Sequence, residues 1–272
     1  MSTSGQHSVQ GDGRLIGRVR KDRIAQIIHD RGFMSSAALA EQFGVSEMTI
    51  RRDLAELELR GVIQRTHGGA VTETHPPAGE DRGPEPFFDE REARARPAKL
   101  AIARAAAGLA ADARSVALDV GTTTYALGQV LASEARLRVF TNNVRVAALG
   151  RRAGAEIYAI GGHIRPHEMA MCGPIAVEQA SKLWFDIAYL GISAISVDGL
   201  FDYSVEEAEM KRVFCERSTR RVVVADSSKF GGRSLVQVGR LECIDVLVSE
   251  ASPPAELAGA LAQAGVEVIV AE

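Results

Sequence analysis

The sequence predicts an α/β protein in two parts, a small helical N-terminal unit ending in two short strands and a larger C-terminal α/β domain on a mainly parallel sheet. Three observations predict it. Before residue 62, apolar residues recur at helical spacing in three successive segments, each closed by a glycine. After residue 97, short β-rich apolar runs alternate with helical stretches. Between them, residues 72–97 carry Pro76, Pro77, Pro84, Pro86 and Pro97 among many charges. That composition resists core packing and reads as a semi-extended linker, with Phe87 and Phe88 free to dock on one of the domains.

A chain of 272 residues that is 46% hydrophobic has material for two packed cores. No stretch reaches the roughly 18 uninterrupted apolar residues of a membrane span, and the polar start lacks the apolar segment of a signal peptide. A cytoplasmic location, away from membranes, is therefore expected. Residues 1–17 begin with a Ser-, Gly- and Gln-rich run without apolar periodicity and read as a disordered extension. Cys172, Cys215 and Cys243 are odd in number and contain no C-x-x-C pair, so reduced thiols are expected rather than a disulfide framework or a zinc cluster. The net charge of −3 says nothing of partners, whereas residues 14–71 hold ten Lys/Arg against seven Asp/Glu. That excess is too small to carry an argument alone.

Residues 18–71 form the N-terminal unit. Ile24, Ile27 and Ile28 mark the first helix, which Gly32 stops; Ser35 or Ser36 caps a second, with Leu39, Ala40 and Phe43 on one face and Gly44 at its end. Ser46 caps a third, whose Ile50, Leu54 and Leu57 share a narrow arc. Gly61 closes it, and residues 62–71 read as two short strands around a glycine turn, a wing. A second helix presented this way fits the major groove of double-stranded DNA. With the apolar arc inward, Met48, Thr49 and Arg52 point outward and Arg51 lies on the flank. An arginine fork suits guanine, and threonine suits a phosphate or a thymine methyl. The DNA-contact candidates are thus Ser46, Met48, Thr49, Arg51 and Arg52, with Arg65 and His67 of the wing touching the backbone. Taken alone, Arg51 and Arg52 read better as solvated helix charges, and only their context turns the reading toward DNA.

The run Val45-Ser46-Glu47-Met48-Thr49-Ile50-Arg51-Arg52-Asp53-Leu54, with Leu57, Gly61 and Arg65-Thr66-His67-Gly68-Gly69-Ala70, resembles the signature of the DeoR family of transcriptional regulators. The resemblance covers nearly the whole chain beyond its N-terminal extension. It implies a winged helix-turn-helix, an effector domain with a fold like that of ribose-phosphate isomerase, and binding to operator DNA as a homo-oligomer. It also implies repression relieved by a sugar phosphate.

Residues 98–272 form the effector domain, with strands read at 116–120, 139–141, 157–160, 187–190, 222–225, 246–248 and 266–270. Ligands of such sheets bind beyond the carboxyl ends of the strands. Asp119-Val120-Gly121-Thr122-Thr123-Thr124 joins a strand to a helix, where free N–H groups and hydroxyls suit a phosphate. The same residues also make an ordinary capped turn. Asn142, after Thr141 and before Asn143, and Gly161-Gly162 follow later strands and are candidates for the same pocket. Asp198, Glu207 and Lys229 belong to further family-like segments; the carboxylates suit sugar hydroxyls and Lys229 suits the effector phosphate. Lys211 reads more readily as a solvated helix lysine, with an effector contact left open behind Lys229.

Two features depart from the family's pattern: Asn143 stands where many relatives have serine, and His163 and His167 follow the paired glycines. Pro166 between the histidines breaks helical ligand spacing, so no metal or other cofactor is expected and His163 reads as bordering the pocket. The rival to a ligand-controlled repressor of carbohydrate metabolism is an isomerase-like enzyme acting on a sugar phosphate, with Asp198 or Glu207 as proton carrier. A DNA-reading unit in the same chain favours the repressor over an enzyme.

Overall fold

The computed structural model describes residues 20–25, 27–28, 33–59, 63–66, 69–72, 88–151, 153–166 and 168–272. The chain divides into two compact units, Met1–His75 and Pro76–Glu272. The expected extension, residues 1–17, and the glycine turn of the wing lie outside the described residues.

In the first unit, residues 20–25 and 27–28 are helical. They precede β1 (Phe33–Ser35), α1 (Ser36–Phe43), α2 (Glu47–Leu59), β2 (Ile63–Thr66) and β3 (Gly69–Thr72). Ile24, Ile28, Leu39, Ile50, Leu54, Leu57 and Ile63 make one core, which explains the helical spacing of the sequence. Gly44, at φ 62, turns the chain between α1 and α2, and the Val45 N–H reaches back to the Ala40 carbonyl at 3.1 Å. Outside the core, Arg20 pairs with Asp53 at 2.6 Å and Lys21 pairs with Glu56, so α2 is pinned by charge as well as by apolar contact. The wing has one strand more than expected. β1 pairs antiparallel with β3, giving the order β1-β3-β2. Three residues are too few to show alternation in a sequence, so β1 left no signal.

The second unit opens with α3 (Phe88–Ala93) and α4 (Arg96–Gly108). Here the expected linker ends too late, because residues 88–93 and 96–97 are helical and Phe88 is buried. Phe88 packs edge-on against Tyr125, with centroids 5.8 Å apart, and the Arg145 guanidinium lies 3.7 Å over its ring. Pro97 stands in the first turn of α4, where its missing N–H costs nothing. Buried Lys99 donates to the carbonyls of Arg91 and, at 2.7 Å, of Arg94, tying the end of α3 to α4.

A parallel sheet of seven strands follows, in the order β15-β14-β12-β9-β4-β5-β6. These are β4 (Ser115–Leu118), β5 (Arg138–Thr141), β6 (Glu156–Ala159), β9 (Phe185–Leu190), β12 (Ser218–Val224), β14 (Val246–Ser249) and β15 (Glu267–Val270). Each coincides with an apolar run of the sequence. Alternate residues feed two cores on opposite faces. Val116, Leu118, Ile187, Tyr189, Val222 and Val224 meet α4 and α5 (Thr122–Leu131). Ala117, Ala188, Leu190 and Val223 meet α7 (Pro174–Ser181), α8 (Val205–Glu216) and α9 (Ala255–Gln263); the short α6 (Val144–Ala147) follows β5.

Two smaller sheets lie outside this pattern. One is the hairpin of β7 (His163–Arg165) and β8 (Ala170–Cys172); the other joins β10 (Ala194–Ser196), β11 (Gly199–Asp202) and β13 (Val236–Gly239). β4 leads by α5 to β5 on one side, while β9 leads by α8 to β12 on the other. The switch point therefore falls between the carboxyl ends of β4 and β9.

Candidate DNA-contact helix and effector pocket

On α2, Ser46 ends the turn and its Oγ accepts the Thr49 N–H at 3.3 Å, capping the helix. Its hydroxyl also lies 3.0 Å from Thr49 Oγ1. Met48 is 66% exposed, Arg52 is exposed, and Arg51 reaches Glu47 only at 3.5 Å across an exposed surface. Ser46, Met48, Thr49, Arg51 and Arg52 thus share one end and the outer side of the helix whose other side is core. Arg65 lies in β2 opposite Ala70. His67 lies outside the described residues.

In the second unit a pocket opens at the switch point, with Arg91, Glu168, Ser193, Asp202, Glu207 and Lys211 on its polar walls and Gly121 and Gly191 at its base. Gly121 is at φ 130 and begins α5 with no side chain capping the helix. A Cβ there would sit 3.3 Å from Thr124 Oγ1, besides being strained at that φ. Thr122, Thr123 and Thr124 are buried in the first turn, and Thr124 Oγ1 donates to the Gly121 carbonyl at 3.0 Å. The remaining N–H groups of that turn have no intrahelical acceptor.

The charge centre of the pocket is Lys211. Its Nζ lies 2.8 Å from Asp119 Oδ2 and 3.1 Å from Asp202 Oδ2, with all three side chains buried. Burial works against the ammonium, but Asp119, Asp202 and Glu207 outweigh it and hold Lys211 well above its usual range. Burial likewise pushes Asp119 up to about 6, against the pull of Lys211. Asp119 Oδ2 also accepts the Gly191 N–H at 3.2 Å, whereas Oδ1 has no hydrogen-bond partner among the described residues. Glu207, one turn before Lys211 on α8, pairs with Arg165 of β7 at 2.8 Å. Ser204 caps that helix through the Glu207 N–H at 3.3 Å.

Gly121 and Glu207 line the pocket and Asp119 reaches it through Lys211, whereas Thr122, Thr123 and Thr124 follow Gly121 in α5 without lining it. Asn142 stands beside Asp119, one residue beyond the Leu118–Thr141 pair, fully buried with neither amide atom partnered among the described residues. Other expected residues are elsewhere. Asp198 is on the surface with Arg233, at 2.5 Å, because it occupies the turn of β10 and β11 rather than the strand end. Asp202, at the end of β11, takes the place expected of it.

Lys229 does not line the pocket: its turn after β12 sets it beside Asp226 and Lys99. Burial pulls Lys99 down to about 8 there, with Lys229 among the cations that add to the shift. Lys211, read as solvated, is the buried cation instead. Gly161 donates its N–H to Gln179 at 3.0 Å, and Gly162 approaches β8 so closely that a Cβ would lie 2.5 Å from the Cys172 carbonyl. Both glycines serve packing. His163 is exposed on β7 and does not border the pocket, and His167 lies outside the described residues.

The polar walls that sequence reasoning missed are Arg91, Glu168, Ser193 and Asp202. Arg91 was hidden in the supposed linker and Glu168 in an irregular loop. Asp202 alone had a signal: it closes a strand just before the Ser204 cap.

A winged helix-turn-helix followed by an α/β unit with a charged pocket at its switch point defines a ligand-responsive transcription regulator. The chain belongs to the DeoR family: the DeoR-like helix-turn-helix domain matches residues 20–75 and the DeoR C terminal sensor domain matches residues 94–251. It is 35% identical to the HTH-type transcriptional regulator GlpR of Haloferax volcanii, over 92% of this chain and 96% of that protein. It is 33% identical to the glycerol-3-phosphate regulon repressor of Escherichia coli K12, over 86% of this chain and 91% of that one. These relatives are named as regulators, and the isomerase-like alternative is set aside. The solved structure of a D-ribose-5-phosphate isomerase with phospho-erythronic acid is similar over 48% of this chain and 52% of its own, at 15% identity and TM-score 0.37. A likeness at that level transfers no residue or ligand. No helix among the described residues is long and apolar enough to cross a membrane.

Proposed function

We propose that this regulator represses a carbohydrate-metabolism operon and that a phosphorylated sugar or related metabolite, bound in the second unit, controls its hold on double-stranded operator DNA. The observation that carries the reading is the uncapped start of α5, Gly121 to Thr124, opening beside the carboxylates around Lys211. Oriented N–H groups and hydroxyls compensate for stripping water from a phosphate. Asp202 and Glu207 then accept hydroxyls from the carbon chain. The name of the glycerol-3-phosphate regulon repressor supports a phosphorylated effector, though not a particular one. In this reading Ser46, Met48, Thr49, Arg51 and Arg52 meet the operator, as a cytoplasmic homo-oligomer on paired half-sites.

The test is a mobility-shift assay on DNA upstream of its own gene, titrated with matched phosphorylated and unphosphorylated sugars. Release by the phosphorylated member only, with that compound recovered unchanged, is the expected result. Equal potency of the unphosphorylated sugar would end the phosphate reading and leave the DNA assignment intact.

A further inference from the structure

Both cations on the pocket wall are already engaged: Lys211 by Asp119 and Asp202, and Arg91 by Glu168. A phosphate at the start of α5 that also reaches either cation must therefore share it with a carboxylate or displace one. The two pairs are unequally placed. Lys211 is 1% exposed and held by two carboxylates, whereas the Arg91 side chain is 15% exposed and comes from the short helix α3.

Glu168 reaches Arg91 from the tip of the β7–β8 hairpin. The next residue, Met169, is held at φ 53, a left-handed conformation that costs a side-chain-bearing residue energy. Arg145 keeps the tip there by donating to the Glu168 carbonyl at 2.6 Å, and the Val144 N–H donates to the Met169 carbonyl at 2.9 Å. The same Arg145 lies over Phe88 of α3. One arginine thus fastens the hairpin tip and the helix that carries Arg91.

The Glu168 carboxylate occupies a guanidinium whose planar fork matches phosphate as well as carboxylate. A phosphate beside an unmoved Glu168 meets like charge where water screens it little. Resting on the reading that the pocket takes a phosphorylated ligand, we infer that Glu168 is a built-in competitor for Arg91, and that effector binding exchanges this carboxylate for the ligand's phosphate. The pair sets the selectivity of the pocket. A neutral sugar offers nothing to replace Glu168, so it leaves the pair closed, while a phosphate opens it and removes one of the two ties between the hairpin tip and α3.

Calorimetry on the full chain, with inorganic phosphate as the probe, tests the exchange. Glu168→Gln and Glu168→Ala should each bind phosphate roughly tenfold more tightly than the parent, Glu168→Asp should restore competition, and Arg91→Gln should weaken binding. Two Glu168 variants guard against a misfolded one. Phosphate added to the parent should also speed hydrogen exchange over residues 88–93. Unchanged or weaker phosphate binding in both Glu168→Gln and Glu168→Ala overturns the inference, and so does a loss of glucose 6-phosphate affinity with phosphate affinity unaltered, which would make Glu168 a hydroxyl acceptor. If a phosphorylated sugar binds the parent and Thr123→Val weakens it, those outcomes strike the exchange alone. If no phosphorylated compound binds parent or variants, the exchange and the phosphate reading fall together.

Discussion

Lys211 shows how a single side chain escapes sequence reading. On a helix with Glu206, Glu207 and Glu209 around it, a lysine reads as solvated, yet the stripe Glu207 and Lys211 faces the pocket, and its counter-ions come from the residue after β4 and from the end of β11. Replacing it tests that account. Lys211→Met leaves Asp119 and Asp202 buried without their cation and should cost about 3 to 5 kcal/mol in urea unfolding at pH 7. Asp119 adds a pH dependence whose sign is fixed by its titration near 6, above the ordinary 3.8. Between those values the folded chain binds the extra proton, so the contribution of Asp119 is fully present below about 4 and lost as pH rises through about 6. Asp119→Asn should flatten the stability profile in that window relative to the parent; parallel profiles from pH 4 to 7 would show that Asp119 titrates elsewhere. On α2, Arg52→Ala should cost about 1 to 3 kcal/mol of discrimination between operator and mismatched DNA if Arg52 reads a base. An equal loss on both DNAs would assign it to the phosphate backbone.

At the scale of elements, the seven strands of the main sheet were legible because each carries a short apolar, β-rich run bounded by polar turns, as at Val222-Val223-Val224 before Asp226. The helix α2 was legible from Ile50, Leu54 and Leu57. What escaped was either short or defined by partners far away in sequence: β1 exists through β3, β10 and β11 through each other and β13, and α3 through Tyr125 and Arg145. The same limit explains the pocket. Gly121 sits in a contiguous motif beside a strand end and so was legible, whereas the pocket's polar walls are drawn largely from α3, the β7–β8 tip, β11 and α8. Glycine inside α5 makes a related point, since Gly128 lies where a Cβ would come within 3.0 Å of both Leu118 and Val146. Gly128→Ala should therefore destabilise the second unit by about 1 to 3 kcal/mol through overpacking, against the usual helical gain from alanine. A stabilised variant in thermal unfolding would show that α5 can move outward.

For the whole molecule, the two units fold on separate cores, so damage to the ligand site and damage to the DNA helix are separable. Limited proteolysis should cut within residues 73–87 and spare 88–97, because Phe88 and the carbonyls of Arg91 and Arg94 are held by the second unit. First cuts after residue 88 would mean that α3 opens on its own. Regulation requires more than separate units: the effector shifts DNA binding only if it binds the operator-bound and free chains unequally, and the coupling is reciprocal. A phosphorylated sugar that releases the operator should therefore bind more weakly, by the same factor, when operator is present in calorimetry. Thr123→Val, which removes a hydroxyl at the uncapped start of α5 in the second unit, should keep operator affinity and raise the effector concentration needed for release. If Thr123→Val answers the effector as the parent does, the phosphate does not sit at α5; if operator leaves effector affinity unchanged, the ligand that binds there is not the regulator's signal.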